Sequence, residues 1–101
     1  MTGHDSLEVY GKVELSTISM LTNLLTPLID RPDLLSIHVI RGEAATTFFV
    51  WVAEPDWHRV CADRSRVIKS LRVIVRAVGV KQSFKFNLEI QKHPNTFSGS
   101  T

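Results

Sequence analysis

Apolar residues recur at spacings of three and four over residues 17–30, where Ile18, Leu21, Leu24, Leu25 and Leu28 fall on one face of a helix. Ser16 or Thr17 supplies a cap for its start, and Pro27 and Pro32 predict a short or distorted last turn. Alternation takes over from Leu35 to Arg41, with Leu35, Ile37 and Val39 set against Ser36 and His38, the pattern of a strand ending at the turn signal Gly42-Glu43. A second strand, Thr46 to Ala53, pairs with it as an antiparallel hairpin. Both its faces are apolar, so it is either central and covered twice or carries aromatic rings to a partner surface. Pro55 suits the first turn of a short helix through Trp57, Val60 and Cys61. After the loop Ala62-Asp63-Arg64-Ser65, Arg66 to Val78 carries the clearest helical signal, with Val67, Ile68, Leu71, Ile74, Val75 and Val78 on one face and Gly79 as its C-cap. Phe84, Phe86, Leu88 and Ile90 alternate with polar residues as a third strand. The order helix, strand, strand, helix, helix, strand predicts an α+β domain whose three-stranded sheet is covered by helices on one face.

Before this pattern, Leu7, Val9, Val13 and Leu15 alternate with Glu8, Tyr10, Lys12 and Glu14. Residues 1–16 therefore read as an extension, an added strand or arm, residues 17–92 as the domain, and residues 93–101 as a flexible polar tail. A length of 101 residues with 44% hydrophobic and 22% charged positions supports one core and excludes a multidomain enzyme. No apolar run approaches the roughly 20 residues of a membrane span, and the first residues lack a secretory signal, so a cytoplasmic protein without membrane association is expected.

Charge alters this bland picture. Residues 1–56 hold three basic and eight acidic groups, a balance of −5, whereas residues 57–101 hold nine basic and two acidic groups, a balance of +7. Arg66, Lys69, Arg72 and Arg76 lie about 200° around the helix from its apolar face, a basic stripe suited to a polyanion. Lys81, Lys85 and Lys92 read as ordinary exposed lysines. Cys61 is the single cysteine and cannot form an internal disulfide. The four histidines are scattered without metal-ligand spacing, so no metal is expected. There is no glycine-rich nucleotide loop, no paired carboxylates at catalytic spacing, and only Cys61 near His58 as a local nucleophile and base, where a core role for the cysteine is the simpler reading. Neither an enzyme nor a cofactor is expected.

The words of the sequence also resemble a family. Thr26-Pro27-Leu28-Ile29-Asp30-Arg31-Pro32 is similar to the Pro-Leu-Val-Asp-His-Pro ending of the first helix in the small bacterial proteins that consist of one type II KH domain. Arg59-Val60-Cys61-Ala62-Asp63-Arg64-Ser65-Arg66, followed by Ile68-Lys69-Ser70-Leu71-Arg72, resembles that family's Lys-Val-Ile-Gly-Lys-x-Gly-Arg helix-loop-helix. In KH domains a Gly-x-x-Gly loop clamps the backbone of about four nucleotides. Here Ala62 and Ser65 stand at the glycine positions and Asp63 where a basic residue is usual, so the loop is degenerate.

The resemblance implies single-stranded RNA as partner, with Arg64, Ser65 and Arg66 on phosphate, Lys69 and Arg72 on the flanking backbone, and Val60 and Cys61 as an apolar floor beside Ala62 and Asp63. His58 could stack on a base. It further implies a small post-transcriptional regulator or RNA chaperone-like protein, or association with a larger KH-containing protein. The alternative is a module that has lost RNA and serves as a homodimer or protein-interaction domain, using the two-sided strand and Val73, which projects to the side of the basic stripe.

Overall fold

The computed structural model describes residues 11–62 and 66–93. Helix α1 (Lys12–Leu25) leads into two 3₁₀ turns, Thr26–Leu28 and Pro32–Leu34. Strands β1 (Ser36–Arg41) and β2 (Thr46–Val52) form the antiparallel hairpin, closed by Gly42 N–H donating to the Ala45 carbonyl at 2.7 Å. Helices α2 (Glu54–Cys61) and α3 (Val67–Lys81) then cross over the sheet, and β3 (Phe86–Lys92) returns parallel to β2. The strand order is β1-β2-β3, so β2 is central and β3 is an edge. The anticipated α+β order is therefore the observed one.

Period-two alternation divides β2 between two environments. Phe48, Val50 and Val52 are fully buried with Leu21, Leu25, Val60, Leu71, Val75, Phe86 and Leu88. Phe48 meets Phe86 edge-on at 4.9 Å, an arrangement favoured by the ring quadrupoles. Phe49 and Trp51 point to the opposite sheet face and stay half-buried. The strand is thus central with one covered face.

Three local details differ from expectation. Helix α1 begins at Lys12, so Lys12–Leu15 are helical rather than extended, and residues 1–10 of the anticipated arm lie outside the described residues. Glu14 decides this: its carboxylate accepts from Gly11 N–H at 2.8 Å, capping the helix, and pairs with the Arg41 guanidinium, whose Nε donates at 2.9 Å. At the other end, the prolines do what their missing N–H dictates, stopping α1 at Leu25 in favour of a 3₁₀ turn.

Gly79 is not a C-cap. It lies inside α3 and is buried, because a Cβ there would sit 2.9 Å from the Phe84 carbonyl oxygen and 2.9 Å from Phe86 Cγ. Glycine lets the helix press against the start of β3. The left-handed residue that ends the turn is Ser83, with φ 67°, while Phe84 stays outside the strand and exposed. The last strand runs Phe86–Lys92 instead of starting at Phe84.

Two measurements check these assignments. Gly79→Ala, a change that ordinarily favours a helix, should destabilise the protein by about 1–3 kcal/mol in urea denaturation, because the added methyl overpacks against backbone. The Arg41 hydrogen bond holds the Glu14 carboxyl below its ordinary value, against the opposing effect of burial. A lowered folded pKa gives stability that is present above the unfolded value and lost as pH falls through the folded one. Glu14→Gln should therefore lower Tm at neutral pH, with the gap to the native protein closing as the solution is acidified below the carboxylate range.

Candidate nucleic-acid interface

Helix α2, which precedes the basic helix, is positioned by a buried carboxylate. Asp56, in the first turn of α2, is fully buried and accepts from Asp30 N–H at 2.9 Å, Arg31 N–H at 3.0 Å and Arg59 Nη1 at 3.1 Å. The neighbouring Trp57 donates its indole N–H to the Ile90 carbonyl at 3.0 Å. One turn of α2 is thereby tied to the chain after α1 and to the edge of β3. Arg59, at the head of the motif that carries the resemblance, also pairs with Asp30 at 3.0 Å and belongs to this clasp.

The sequence-predicted residues separate into distinct environments. Val60 is in the core, so it supports a surface from beneath. Cys61 is half-buried at the end of α2, and burial pushes its thiol pKa up, with Arg72 opposing and Glu89 adding. A raised thiol pKa is the opposite of nucleophile activation. Ala62 is exposed, and Asp63, Arg64 and Ser65 lie outside the described residues. His58 sits 3.6 Å from Glu54 and edge-on to Trp57. Among the described residues no group of His, Cys, Asp or Glu is placed to hold a metal ion, and no helix is long and apolar enough to cross a membrane.

Arg66, Lys69, Arg72 and Arg76 are all exposed along α3. Arg72 reaches over the edge of β3, its Nε donating to the Leu88 carbonyl at 3.3 Å and its Nη2 lying 3.5 Å from Glu89. Strand residues alternate in the edge their backbone groups face, so Leu88 and Ile90 turn theirs outward toward α3 and α2. A groove results, floored by the β3 edge and bordered by the end of α2 and the basic face of α3. It opens at one end into a cleft of about 460 Å³ lined by Arg72, Arg76, Asn87, Glu89 and, from the far face of the sheet, Thr47 and Phe49.

Sequence reading missed Trp57, Asn87 and Glu89 as site residues and read Phe49 only as part of a two-sided apolar strand. Their spacing in the chain carries no signal, since the parallel β2–β3 register alone sets Phe49 beside Glu89.

A helix-loop-helix leaning over the edge of a three-stranded mixed sheet defines a KH-like domain. The chain is 31% identical over 71 residues to the RNA-binding protein KhpA of Listeria monocytogenes, covering 70% of this chain and 93% of the relative. It is 28% identical to the protein of that name from Chlamydia caviae over 72 residues, 71% of this chain and 92% of the relative. With the Borreliella burgdorferi protein of that name it shares 26% over 73 residues, 72% and 89% of the two chains. No family model matches, and no solved structure matches significantly. The chain belongs to the KhpA family.

Replacing Asp56 by Ala should cost on the order of 3 kcal/mol, as two backbone N–H groups lose a charged acceptor. Chemical denaturation beside backbone amide NMR should show the loss, with the Asp30 and Arg31 amides shifting most.

Proposed function

We propose that this protein binds single-stranded RNA in the groove between the end of α2, the start of α3 and the edge of β3. The observation that carries the reading is the exposed basic face of α3: Arg66, Lys69 and Arg76 have no ion-pair partner among the described residues. In the acidic half of the chain, by contrast, Glu14, Asp30, Asp33 and Asp56 all answer arginines. Membership in a family whose relatives are named RNA-binding proteins supports it.

In this reading the fold is used as a type II KH domain. Arg64, Ser65 and Arg66 hold phosphates, while Lys69 and Arg72 contact the flanking backbone. Cys61 offers the apolar floor, supported by Val60. Arg72 exchanges its contacts with Glu89 and the Leu88 carbonyl for phosphate when RNA arrives. Ala62 and Ser65 allow a looser clamp than two glycines, and Asp63 weakens it. The protein then acts as a small cytoplasmic post-transcriptional regulator, alone or with a larger KH-containing protein, with no catalytic chemistry of its own.

A second reading, association without RNA, draws on Val73 and Val80, which are 60% and 67% exposed on the outer side of α3. The two separate by salt. RNA affinity should fall with a log–log slope of about −0.7 per neutralised phosphate, whereas an apolar interface should not weaken.

Fluorescence anisotropy with short single-stranded RNAs, at low and near-physiological salt, tests the reading. Arg66→Glu should weaken binding about tenfold or more and flatten the salt slope, while Asp63→Lys should tighten it. Binding that ignores both changes would remove the loop and the start of α3 from the site.

A further inference from the structure

The cleft at the end of the groove joins two surfaces of different chemistry. Arg72 and Arg76 reach it from α3, and Phe49 and Glu89 reach it from the sheet face opposite the helices of the described residues. Its volume of about 460 Å³ falls within the roughly 300–1,000 Å³ of small-ligand sites. Phe49 is half-buried, leaving part of its ring to the cleft, and Glu89 is its neighbour across the parallel ladder.

We infer that this cleft is a nucleobase site selective for guanine, which takes a base of the RNA strand leaving the groove around the edge of β3. The inference rests on the RNA-binding reading above and extends it to a surface outside the helix-loop-helix. Three features point to this ligand. Two arginines in the cleft match the charge of a phosphate backbone, and an aromatic ring offers a stacking platform for a base. The third is Glu89, an acidic residue in an otherwise basic stretch of chain. An ionised carboxylate only accepts hydrogen bonds. Guanine presents two donors side by side, N1–H and the N2 amino group, which a carboxylate can take together. Adenine and cytosine place a ring acceptor next to their amino group, and uracil flanks its N–H with carbonyls, so each sets a lone pair against Glu89.

The test compares hexauridylate with hexamers in which one guanine, or one adenine, replaces uridine at each position in turn, by anisotropy at low salt. The native protein should bind the best guanine hexamer at least about fivefold more tightly than hexauridylate, with no such gain from adenine. Glu89→Gln should abolish the guanine gain while retaining hexauridylate. Phe49→Leu, checked by circular dichroism for intact folding, should reduce the affinity for both. Glu89 is exposed enough for its substitution to be read even where the Phe49 change disturbs the sheet. A native protein that binds RNA without preferring guanine, or a guanine gain that survives Glu89→Gln, would overturn the guanine site and leave the RNA reading standing. A native protein that binds none of the hexamers would overturn both.

Discussion

The Asp56 carboxylate is the interaction on which the groove depends. Acidic groups in a helix's first turn are favoured by the exposed N–H groups there, but Asp56 spends its oxygens on another segment. By accepting from the backbone of Asp30 and Arg31, it converts the irregular chain after α1 into a fixed support for α2. Trp57 extends the support to β3. The direction of α2 sets where its C-terminal end stands relative to the strand edge. A polar group buried for this purpose must be fully satisfied, and every buried side-chain polar atom among the described residues has a partner.

Internal pairing also turns a charge imbalance along the chain into one in space. Glu14 closes on Arg41, Asp33 on Arg31, and Asp30 and Asp56 on Arg59. Arg66, Lys69 and Arg76, which have no such pairing among the described residues, are displayed at the start and along the exposed side of α3. The outward carbonyls of Leu88 and Ile90 are covered by Arg72 and Trp57, which blunts an edge that could otherwise pair with another strand. The same edge stays accessible from the cleft beside it.

Element order and core were largely legible, because periodicity follows burial: Leu21, Leu25, Phe48, Val50, Leu71 and Leu88 sit inside as their spacing requires, whereas Leu24, Leu28 and Ile74, expected on the same faces, are exposed. The basic stripe was legible for the same reason. The errors have physical causes. Alternation over four residues fits either a strand or a helix, and at Lys12–Leu15 a capping carboxylate with a distant arginine decided for the helix. A glycine near a helix end suggests a cap, yet Gly79 answers a close approach by Phe84 and Phe86. The far wall of the cleft was illegible because Phe49 and Glu89 meet only through strand register.

The proposed seat of RNA is the groove between the end of α2, the start of α3 and the edge of β3. The most direct measurement is a titration of isotope-labelled protein with a short single-stranded RNA, followed by backbone amide NMR. Shifts should concentrate at Cys61, Ala62, Arg66, Lys69, Leu88 and Ile90, with Val73 and Val80 little changed. Shifts confined to the outer side of α3, or an unperturbed spectrum at saturating RNA, would contradict it.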